Sequence, residues 1–297
     1  MRRVLYFSCA VMLIMGLVSC NKKTNMPQIG ADNVYVSANI DIKKDNKRIA
    51  SVSPQVTEII CELGCMDRLV CRTDFCKFPP EVKNIQSIGG INDANLELII
   101  SLRPDIAITS SIFPKKSVVV LENAKIPVLS FREGAKIEDM YKVMSQLGKI
   151  VNKEKTADSL IDDCKRRLEK VSLRCDSIIK AKQINKPKVY YVVGFGASGD
   201  FSAGADTYVN EIFNLAGGDN IAKNAKNWSF NKEELFANQP DYIFVRSYDR
   251  ETFMHTHPYN GLKAVKEGKV FGIDNLDNQT PQSIDAIEFI FKTIYNQ

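Results

Sequence analysis

Histidine and tryptophan are scarce in this 297-residue chain, which has His255, His257 and the single tryptophan Trp228. Because no histidine precedes residue 255, a mechanism with a histidine base and separate histidine metal ligands lacks the residues it needs. A strong positive charge is missing as well, since 40 Lys and Arg stand against 35 Asp and Glu. The sequence therefore indicates neither a histidine-ligated metalloenzyme nor a protein that binds nucleic acid through its phosphates.

Motifs of several enzyme classes are absent from the sequence, including a Walker loop, a nucleophile elbow and a zinc-hydrolase helix. The residues 194–199 do fit G-x-G-x-x-G, and Asp219 follows at the distance that dinucleotide binding requires. The segment 200–204 follows in place of a helix, however, so a dinucleotide site is the weaker interpretation. His255 and His257 lie in a loop without a carboxylate cluster, which favours a hydrated pair over a metal site.

A long apolar run occurs only at the amino terminus. Arg2 and Arg3 precede an apolar segment of about fifteen residues, and the polar string NKKTN follows Cys20. Since a spanning helix needs about twenty apolar residues, we predict a signal peptide at 1–19; an uncleaved signal anchor is the alternative. The ending LVSC resembles the lipobox of bacterial lipoproteins, which implies lipidation of Cys20. We expect residues 20–46 to be the lipidated cysteine and a tether.

Six cysteines remain after the leader cysteine Cys9 and the lipobox cysteine Cys20 are set aside: Cys61, Cys65, Cys71, Cys76, Cys164 and Cys175. Export permits disulfides without requiring them. Cys164 and Cys175 fall on one predicted helix about 16 Å apart, so they cannot pair with each other. No C-x-x-C pair occurs, and most of the six are expected to be small buried hydrophobes.

Short apolar runs alternate with amphipathic segments from residue 48 onward. In the first half, strands are predicted at 48–52, 69–73, 105–110 and 126–131, with helices at 54–63, 95–101 and 117–123. In the second half, strands are predicted at 188–193, 242–246 and 269–273, with helices at 206–216, 232–237 and 283–295. This alternation predicts an α/β fold with two mostly parallel sheets.

A long segment without proline, 137–182, separates the two halves. Its apolar residues between 157 and 179 repeat at spacings of three and four, which predicts one helix of about 28 residues and about 40 Å. A coiled-coil dimer would use the same pattern, but a strut between two lobes fits better. We predict an N-terminal lobe at 47–152, a linking helix at 153–183 and a C-terminal lobe at 184–297.

Both halves carry a helix that leads into a Pro-Asp strand, NLELIISLRPDIAI at 95–108 and NKEELFANQPDYIF at 231–244. Together with RIASVSPQVTEIICELG, RTDFCKFPPEVK, IGGINDANLELIISLRPDI and AGADTYVNEIFNLAGGDNIA, these phrases resemble the substrate-binding proteins of ABC importers for large metal chelates. The resemblance covers residues 48–295. It implies two Rossmann-like lobes joined by one long α-helix, with the ligand cleft between the lobes.

The resemblance also implies a role and its partners. The chain would be a non-enzymatic, periplasm-facing membrane lipoprotein that has no cofactor of its own and delivers a metal chelate to an ABC permease dimer. The permease-docking residues would be Glu97 and Glu233, one on each lobe, with Glu234 able to replace Glu233. Solvated glutamates in a first helical turn are the alternative. Ligand contacts would come from loops at strand ends: Ser53, Pro54, Thr73, Asp74, Phe75, Gly90, Ile91, Phe195, Gly196, Trp228, Arg246, Tyr248 and Gln279.

The nature of the chelate follows from what the loops contain. Heme binders of this group offer an axial ligand from the N-terminal lobe, but Phe75 and Ile91 occupy those positions here. Tyr248, Met254 and His255 remain as axial ligands from the C-terminal lobe. The expected cargo is therefore an iron-siderophore or cobalamin, with heme as the alternative.

Two further alternatives belong to other classes. An exported enzyme on a similar frame would need convergent titratable groups, and Asp74, Asp93 and Asp274 have no candidate base as a partner. A receptor for free transition-metal ions would need three or four ligands that this sequence does not bring together.

Overall fold

The structure is a computed structural model that describes residues 45–197, 199–274 and 276–297, together with the backbone of 34–36. The predicted signal peptide and Cys20 lie outside the described residues. Within the predicted tether, Val34–Val36 forms strand β1 and pairs antiparallel with the strand at Val128–Phe131. This part of the expected tether therefore belongs to the sheet of the N-terminal lobe.

The N-terminal lobe is built on one five-stranded sheet. After β1 its strands are β2 at Ile49–Val52, β3 at Leu69–Cys71, β4 at Ile106–Ser110 and β5 at Val128–Phe131. Its helices are α1 at Pro54–Glu62, α2 at Leu96–Ser101, α3 at Lys115–Asn123 and α4 at Ile137–Ile150. The order is β1-β5-β4-β2-β3, and every pair except β1 with β5 is parallel. All residues of β2 and β4 are buried, as expected for parallel strands covered on both faces.

The C-terminal lobe has a four-stranded parallel sheet in the order β11-β10-β6-β8. Its strands are β6 at Lys188–Val192, β8 at Asp219–Asn220, β10 at Tyr242–Val245 and β11 at Val270–Gly272. A separate two-stranded ribbon pairs β7 at Asp200–Phe201 with β9 at Ser229–Phe230. The helices are α6 at Tyr208–Leu215, α7 at Lys232–Asn238, α8 at Arg250–His255, α9 at Lys263–Lys266 and α10 at Gln282–Tyr295.

The linking helix predicted between the lobes is confirmed. Helix α5 spans Glu154–Lys182, and its 29 residues correspond to about 43 Å. Its buried side chains are Ala157, Ile161, Cys164, Val171 and Cys175. They pack within the chain against α4, α6 and α10, so the apolar stripe that suggested a coiled coil is already covered.

Helices α4 and α5 approach each other closely at Gly148, the lone glycine of the 137–182 segment. A Cβ at this position would lie 2.7 Å from the Cβ of Ala157. Only glycine therefore fits at this crossing without a shift of one helix.

One hydrophobic core runs through both lobes. Its buried residues come from α1 and α4 of the N-terminal lobe, from α5, and from α6 and α10 of the C-terminal lobe. The six cysteines among the described residues are free thiols, and all but Cys61 are buried. In the described part of the chain, no helix combines the length and apolarity that crossing a membrane requires.

Candidate functional site

The loops at the carboxyl ends of the parallel strands meet between the lobes, where the resemblance places the ligand cleft. Gln55, at the start of α1, donates through Nε2 to the main-chain oxygen of Gln279 over 2.8 Å. Gln279 in turn donates through Nε2 to the main-chain oxygen of Gly134, which follows β5, over 2.6 Å. Loops that follow β2, β5 and β11 thus touch, and the loops after β3, β6 and β10 follow other strands of the same two sheets.

A buried carboxyl group lies beside this joint. Glu58 of α1 is only 3% exposed, and its Oε1 has no hydrogen-bond partner. Burial raises the pKa of Glu58 to about 7, although Thr280 and the Gln282 backbone at the start of α10 partly stabilise the charged form. The carboxylates of Glu62 and Asp285 raise this pKa further. Sequence reasoning missed Glu58, because a glutamate inside an amphipathic helix normally faces solvent.

The loop after β3 carries several of the contacts predicted for the N-terminal lobe. Phe75 is 58% exposed although it is a large hydrophobic residue. The loop is held by a bond from the Asp74 amide to the Gly89 carbonyl of 2.9 Å and by a contact between Ser87 and Asp74. A Cβ at Gly90 would collide with the Asp93 carboxylate and would lie 3.7 Å from the Phe75 ring. The predicted residues Asp74, Phe75 and Gly90 are therefore brought together.

In the C-terminal lobe, the predicted contact Trp228 is 40% exposed. It follows Asn227 in a turn where both residues have positive φ, 51° and 66°. Such backbone conformations cost energy in residues other than glycine, and they are enriched at binding sites. The Trp228 carbonyl accepts a 2.8 Å bond from the Ser202 amide, which fixes the turn.

Charged and phenolic groups gather at the ends of β6 and β10. Arg246 donates through Nη1 to the hydroxyl of Tyr248 over 3.2 Å, and Tyr248 is 71% exposed. The hydroxyl of Tyr248 also raises the pKa of the Arg246 guanidinium. Burial raises the pKa of Tyr191 to about 12, and Asp277 and Asp274 add to that rise while Arg246 opposes it. Arg246 thus lies beside two phenols, and Asp274 and Asp277 act on one of them, Tyr191.

Glu133 and Asp277 are two acidic cleft residues that sequence reasoning did not single out. Glu133 follows β5 in the N-terminal lobe, and Asp277 follows β11 in the C-terminal lobe. Although the Glu133 side chain is exposed, desolvation and the Asp277 carboxylate raise its pKa. The strand-end rule that predicted the other contacts would have found Glu133 if it had been applied to β5.

Three predicted contact residues differ from the expectation. The side chains of Ser53, Thr73 and Gln279 are 3%, 0% and 4% exposed, so they do not face a ligand directly. Thr73 contacts the thiol of Cys76 at 3.3 Å, which anchors the Phe75 loop from below. These three residues are buried beneath the loops. The strand-end rule selected them because side chains at the end of a strand point alternately to the two faces of the sheet.

The remaining predicted residues are partly exposed. Pro54 starts α1, and Ile91 packs against the core of the N-terminal lobe. Phe195 packs edge-on against Phe253 and Tyr259, with ring centroids 5.2 and 5.6 Å apart. Among the described residues, no group of three or more histidine, cysteine or carboxylate side chains could hold a metal ion. The glycine-rich segment 194–199 leads into the ribbon strand β7, which leaves no helix to receive a dinucleotide phosphate.

The two predicted docking glutamates occupy equivalent local structures. Glu97 is exposed in the first turn of α2, where Asn95 accepts a 2.9 Å bond from the Leu98 amide. Glu233 is exposed in the first turn of α7, where Asn231 accepts a 2.7 Å bond from the Glu233 amide. Each lobe therefore presents one capped helix with an acidic first turn at the carboxyl edge of its sheet.

Comparison with known proteins agrees with this architecture. The chain is 26% identical over 281 residues to the uncharacterized ABC transporter substrate-binding lipoprotein YvrC of Bacillus subtilis strain 168, covering 92% of this chain and 88% of that protein. It is 24% identical over 247 residues to a vitamin B12-binding protein of Vibrio parahaemolyticus, covering 81% and 86% of the two chains. A periplasmic heme binding protein from Pseudomonas aeruginosa has a similar fold, with a TM-score of 0.76, 21% identity, and 85% and 94% coverage.

The family match covers most of both lobes and the whole linking helix. It runs over residues 49–276, from the first strand of the N-terminal parallel sheet to the loop after β11. With two parallel sheets whose carboxyl ends meet beside one long helix, the chain belongs to the periplasmic binding protein family.

Proposed function

We propose that this chain is the substrate-binding component of an ABC importer for a large metal chelate of the iron-siderophore or cobalamin type. It is exported by the signal peptide at 1–19, anchored through a lipid on Cys20, and delivers its cargo to a permease dimer in the membrane. The similarity to YvrC and to a vitamin B12-binding protein supports this class.

The observation that carries the proposal is the set of exposed aromatic side chains on both walls of the cleft. Phe75, Trp228 and Tyr248 are 58%, 40% and 71% exposed, and they lie on loops from both lobes. Aromatic residues usually bury their rings, and the exposed part of each of these three is apolar surface that a ligand can cover. A bulky and partly apolar cargo explains why these rings are held out of the core.

Charge distinguishes between the chelates. The carboxylates of Asp274 and Asp277 act on Tyr191, where the Arg246 guanidinium opposes them, and Asp277 also acts on Glu133. This balance favours a neutral chelate, or one rich in hydrogen-bond donors, over a ligand with several carboxylates of its own. Heme carries two propionates, so it remains the second candidate, for which the similarity to heme-binding structures is the supporting observation.

The contacts at the joint suggest a stiff carrier. The lobes share one core through α1, α4, α5, α6 and α10, and a salt bridge of 2.7 Å joins Lys136 to Glu211 across them. Domain closure over a large cargo would therefore be a small movement. The exposed Glu97 and Glu233 would then meet cationic groups on the two halves of the permease.

Equilibrium dialysis of the mature protein against cyanocobalamin, ferrichrome and hemin tests the proposal, with mass spectrometry of the recovered ligand. We expect one equivalent of cyanocobalamin or ferrichrome to bind and to be recovered unchanged. Binding of hemin alone would select the second candidate. Chemical conversion of the ligand, or retention of none of the three, would contradict the proposal.

A further inference from the structure

The ribbon of β7 and β9 brings cleft residues next to a docking helix. Strand β7 follows the cleft loop 194–197, and β9 follows Trp228 and leads directly into α7. The strands pair antiparallel, and the Ser202 amide donates to the Trp228 carbonyl over 2.8 Å. Both segments expected to touch the cargo therefore share one small scaffold with the helix that carries Glu233.

Asp200 is the buried centre of this scaffold. It is 6% exposed, and its Oδ1 accepts a 2.6 Å hydrogen bond from the hydroxyl of Tyr259. The same hydroxyl accepts a 2.9 Å bond from the amide of Gly196, in the cleft loop. The loop is thus fixed to Asp200 through one buried phenol.

Lys232 continues the chain of contacts to α7. Its Nζ lies 3.5 Å from Oδ2 of Asp200 and 5.3 Å above the ring of Tyr259. Lys232 is the first residue of α7 and directly precedes Glu233. The side chain is 35% exposed on its outer side, whereas the Asp200 side chain is 4% exposed.

We propose that Asp200, Tyr259 and Lys232 form a relay that couples the conformation of the cleft loop 194–197 to the first turn of α7. This inference rests on the proposed function, since it takes the loop as a cargo contact and Glu233 as a docking residue. The three side chains act as positioning residues and touch neither cargo nor permease.

The physical basis is that one buried carboxylate pairs both with Tyr259, which binds the loop, and with Lys232, which begins α7. A buried carboxylate is costly unless its oxygens are paired, so Asp200 holds both Tyr259 and Lys232 in place. If cargo shifts the Gly196 amide, the Tyr259 hydroxyl must adjust, and the Asp200 carboxylate and the Lys232 ammonium respond with it. Charge-assisted contacts of this kind transmit small displacements, because their strength depends steeply on distance in a low-dielectric interior.

Amide hydrogen exchange measured by NMR on the protein without cargo tests the coupling by a double-mutant cycle. Gly196→Ala perturbs the loop locally, since Gly196 has φ of +93° and no atom lies within 4 Å of the added Cβ. We expect this variant to change exchange at the amides of Glu233, Glu234 and Leu235 by about threefold or more. In a Tyr259→Phe or Lys232→Met background the same change should fall below about 1.5-fold.

A matched control exists in the four-stranded sheet, at β10 and the start of β11. There Lys269 Nζ lies 5.4 Å above the Tyr242 ring and binds Glu267 at 2.7 Å. Tyr242→Phe and Lys269→Met should leave the effect of Gly196→Ala on α7 intact. Lys232→Met removes a partly exposed side chain, so it tests the relay even if Tyr259→Phe does not fold.

The relay is contradicted if Gly196→Ala leaves exchange in α7 unchanged, or if its effect persists in both relay backgrounds. Trp228 fluorescence in the same samples, titrated with cyanocobalamin, ferrichrome and hemin, reports on cargo binding separately. Exchange coupling without binding of any chelate would contradict the proposed function alone. Binding without exchange coupling would contradict the relay alone.

Discussion

Gln55 in the N-terminal lobe donates through Nε2 to the main-chain oxygen of Gln279 in the C-terminal lobe over 2.8 Å, and both residues are buried. The bond lies at the base of the cleft, beside the loop of Gly134 that Gln279 also contacts. The lobes are therefore joined by this bond as well as through α5. Under the proposed function we expect a carrier that opens and closes little, because separating the lobes must break these contacts.

Replacing Gln55→Ala should lower the free energy of unfolding by about 2 kcal/mol, because the Gln279 carbonyl is then left buried without a donor. Urea denaturation followed by circular dichroism measures the change. The control is Gln86→Ala, since Gln86 makes an equivalent bond of 2.9 Å to Ser87 on the exposed surface. If Gln55→Ala lowers the free energy of unfolding by only about 0.5 kcal/mol or less, as the control should, the Gln55–Gln279 bond does not stabilise the contact between the lobes.

Glu58 should make the protein less stable as the pH rises from about 4.5 to about 7. The folded protein keeps the proton on Glu58 up to about pH 7, whereas the unfolded chain loses it near pH 4.5. The folded state therefore binds more protons in this window, and the free energy of unfolding falls with pH by an amount of order 3 kcal/mol. Above pH 7 this contribution no longer changes.

The variant Glu58→Gln should remove this part of the pH dependence, because an amide stays neutral. Chemical denaturation at pH 4.5, 5.5, 6.5 and 7.5 compares the variant with the parent chain. Glu169→Gln, on the exposed face of α5, serves as the control and should follow the parent chain. Parallel curves for Glu58→Gln and the parent would mean that Glu58 titrates normally in the folded state.

The fold was largely predictable from the spacing of apolar residues and from the glycines and prolines that end helices and strands. The buried strands β2 and β4, the linking helix α5 and the Pro-Asp strands stand out because burial on both faces and helical repeats leave direct patterns in the sequence. The ribbon of β7 and β9 was missed, since strands of two residues have no period to detect. Strand β1 was missed for a similar reason. Its three residues lie within a polar segment, so the sequence pattern predicted a tether there.

The site was predictable only in part. Phe75, Trp228 and Tyr248 were predicted as contacts by the rule that ligands bind at the carboxyl ends of strands; the structure leaves all three exposed, and their contact with a ligand stays a prediction. That rule cannot say which side chain at a strand end points inward, so it also selected Thr73 and Gln279, which are buried. Long-range relationships, such as that of Glu133 with Asp277, depend on how the lobes meet and leave no local signal.

Neutralising the two cleft carboxylates should change the selectivity for charge. We expect Glu133→Gln with Asp277→Asn to raise the affinity for hemin by about three- to tenfold, because repulsion of the propionates is removed. The affinity for cyanocobalamin, whose amides carry no charge, should change by about twofold or less. Isothermal titration calorimetry at low and high salt measures both constants.

The control for this experiment is Asp158→Asn with Glu169→Gln, which removes the same charge from the exposed face of α5. An equal change in hemin affinity for the control pair would assign the effect to net charge instead of to the cleft. An unchanged hemin affinity in the cleft variant would contradict the acidic character that we ascribe to the site.

Removing the docking charges should separate transport from binding. In cells that contain the cognate permease, Glu97→Gln with Glu233→Gln is expected to reduce chelate uptake to background, while the dissociation constant of the purified protein stays within about twofold. Glu97→Gln with Glu234→Gln is the matched comparison, since Glu234 lies in the same first turn. Normal uptake by the first pair, or loss of chelate affinity, would show that the docking residues are misassigned.

The most direct measurement is a titration of Trp228 fluorescence in the mature protein with cyanocobalamin, ferrichrome and hemin. Since Trp228 is the only tryptophan, its emission reports on the cleft alone. We predict saturable quenching by cyanocobalamin or ferrichrome at one equivalent, retained in Phe289→Ala, whose aromatic ring is 41% exposed on α10. Linear, non-saturable quenching by all three chelates would contradict the claim that the two lobes hold a metal chelate between them.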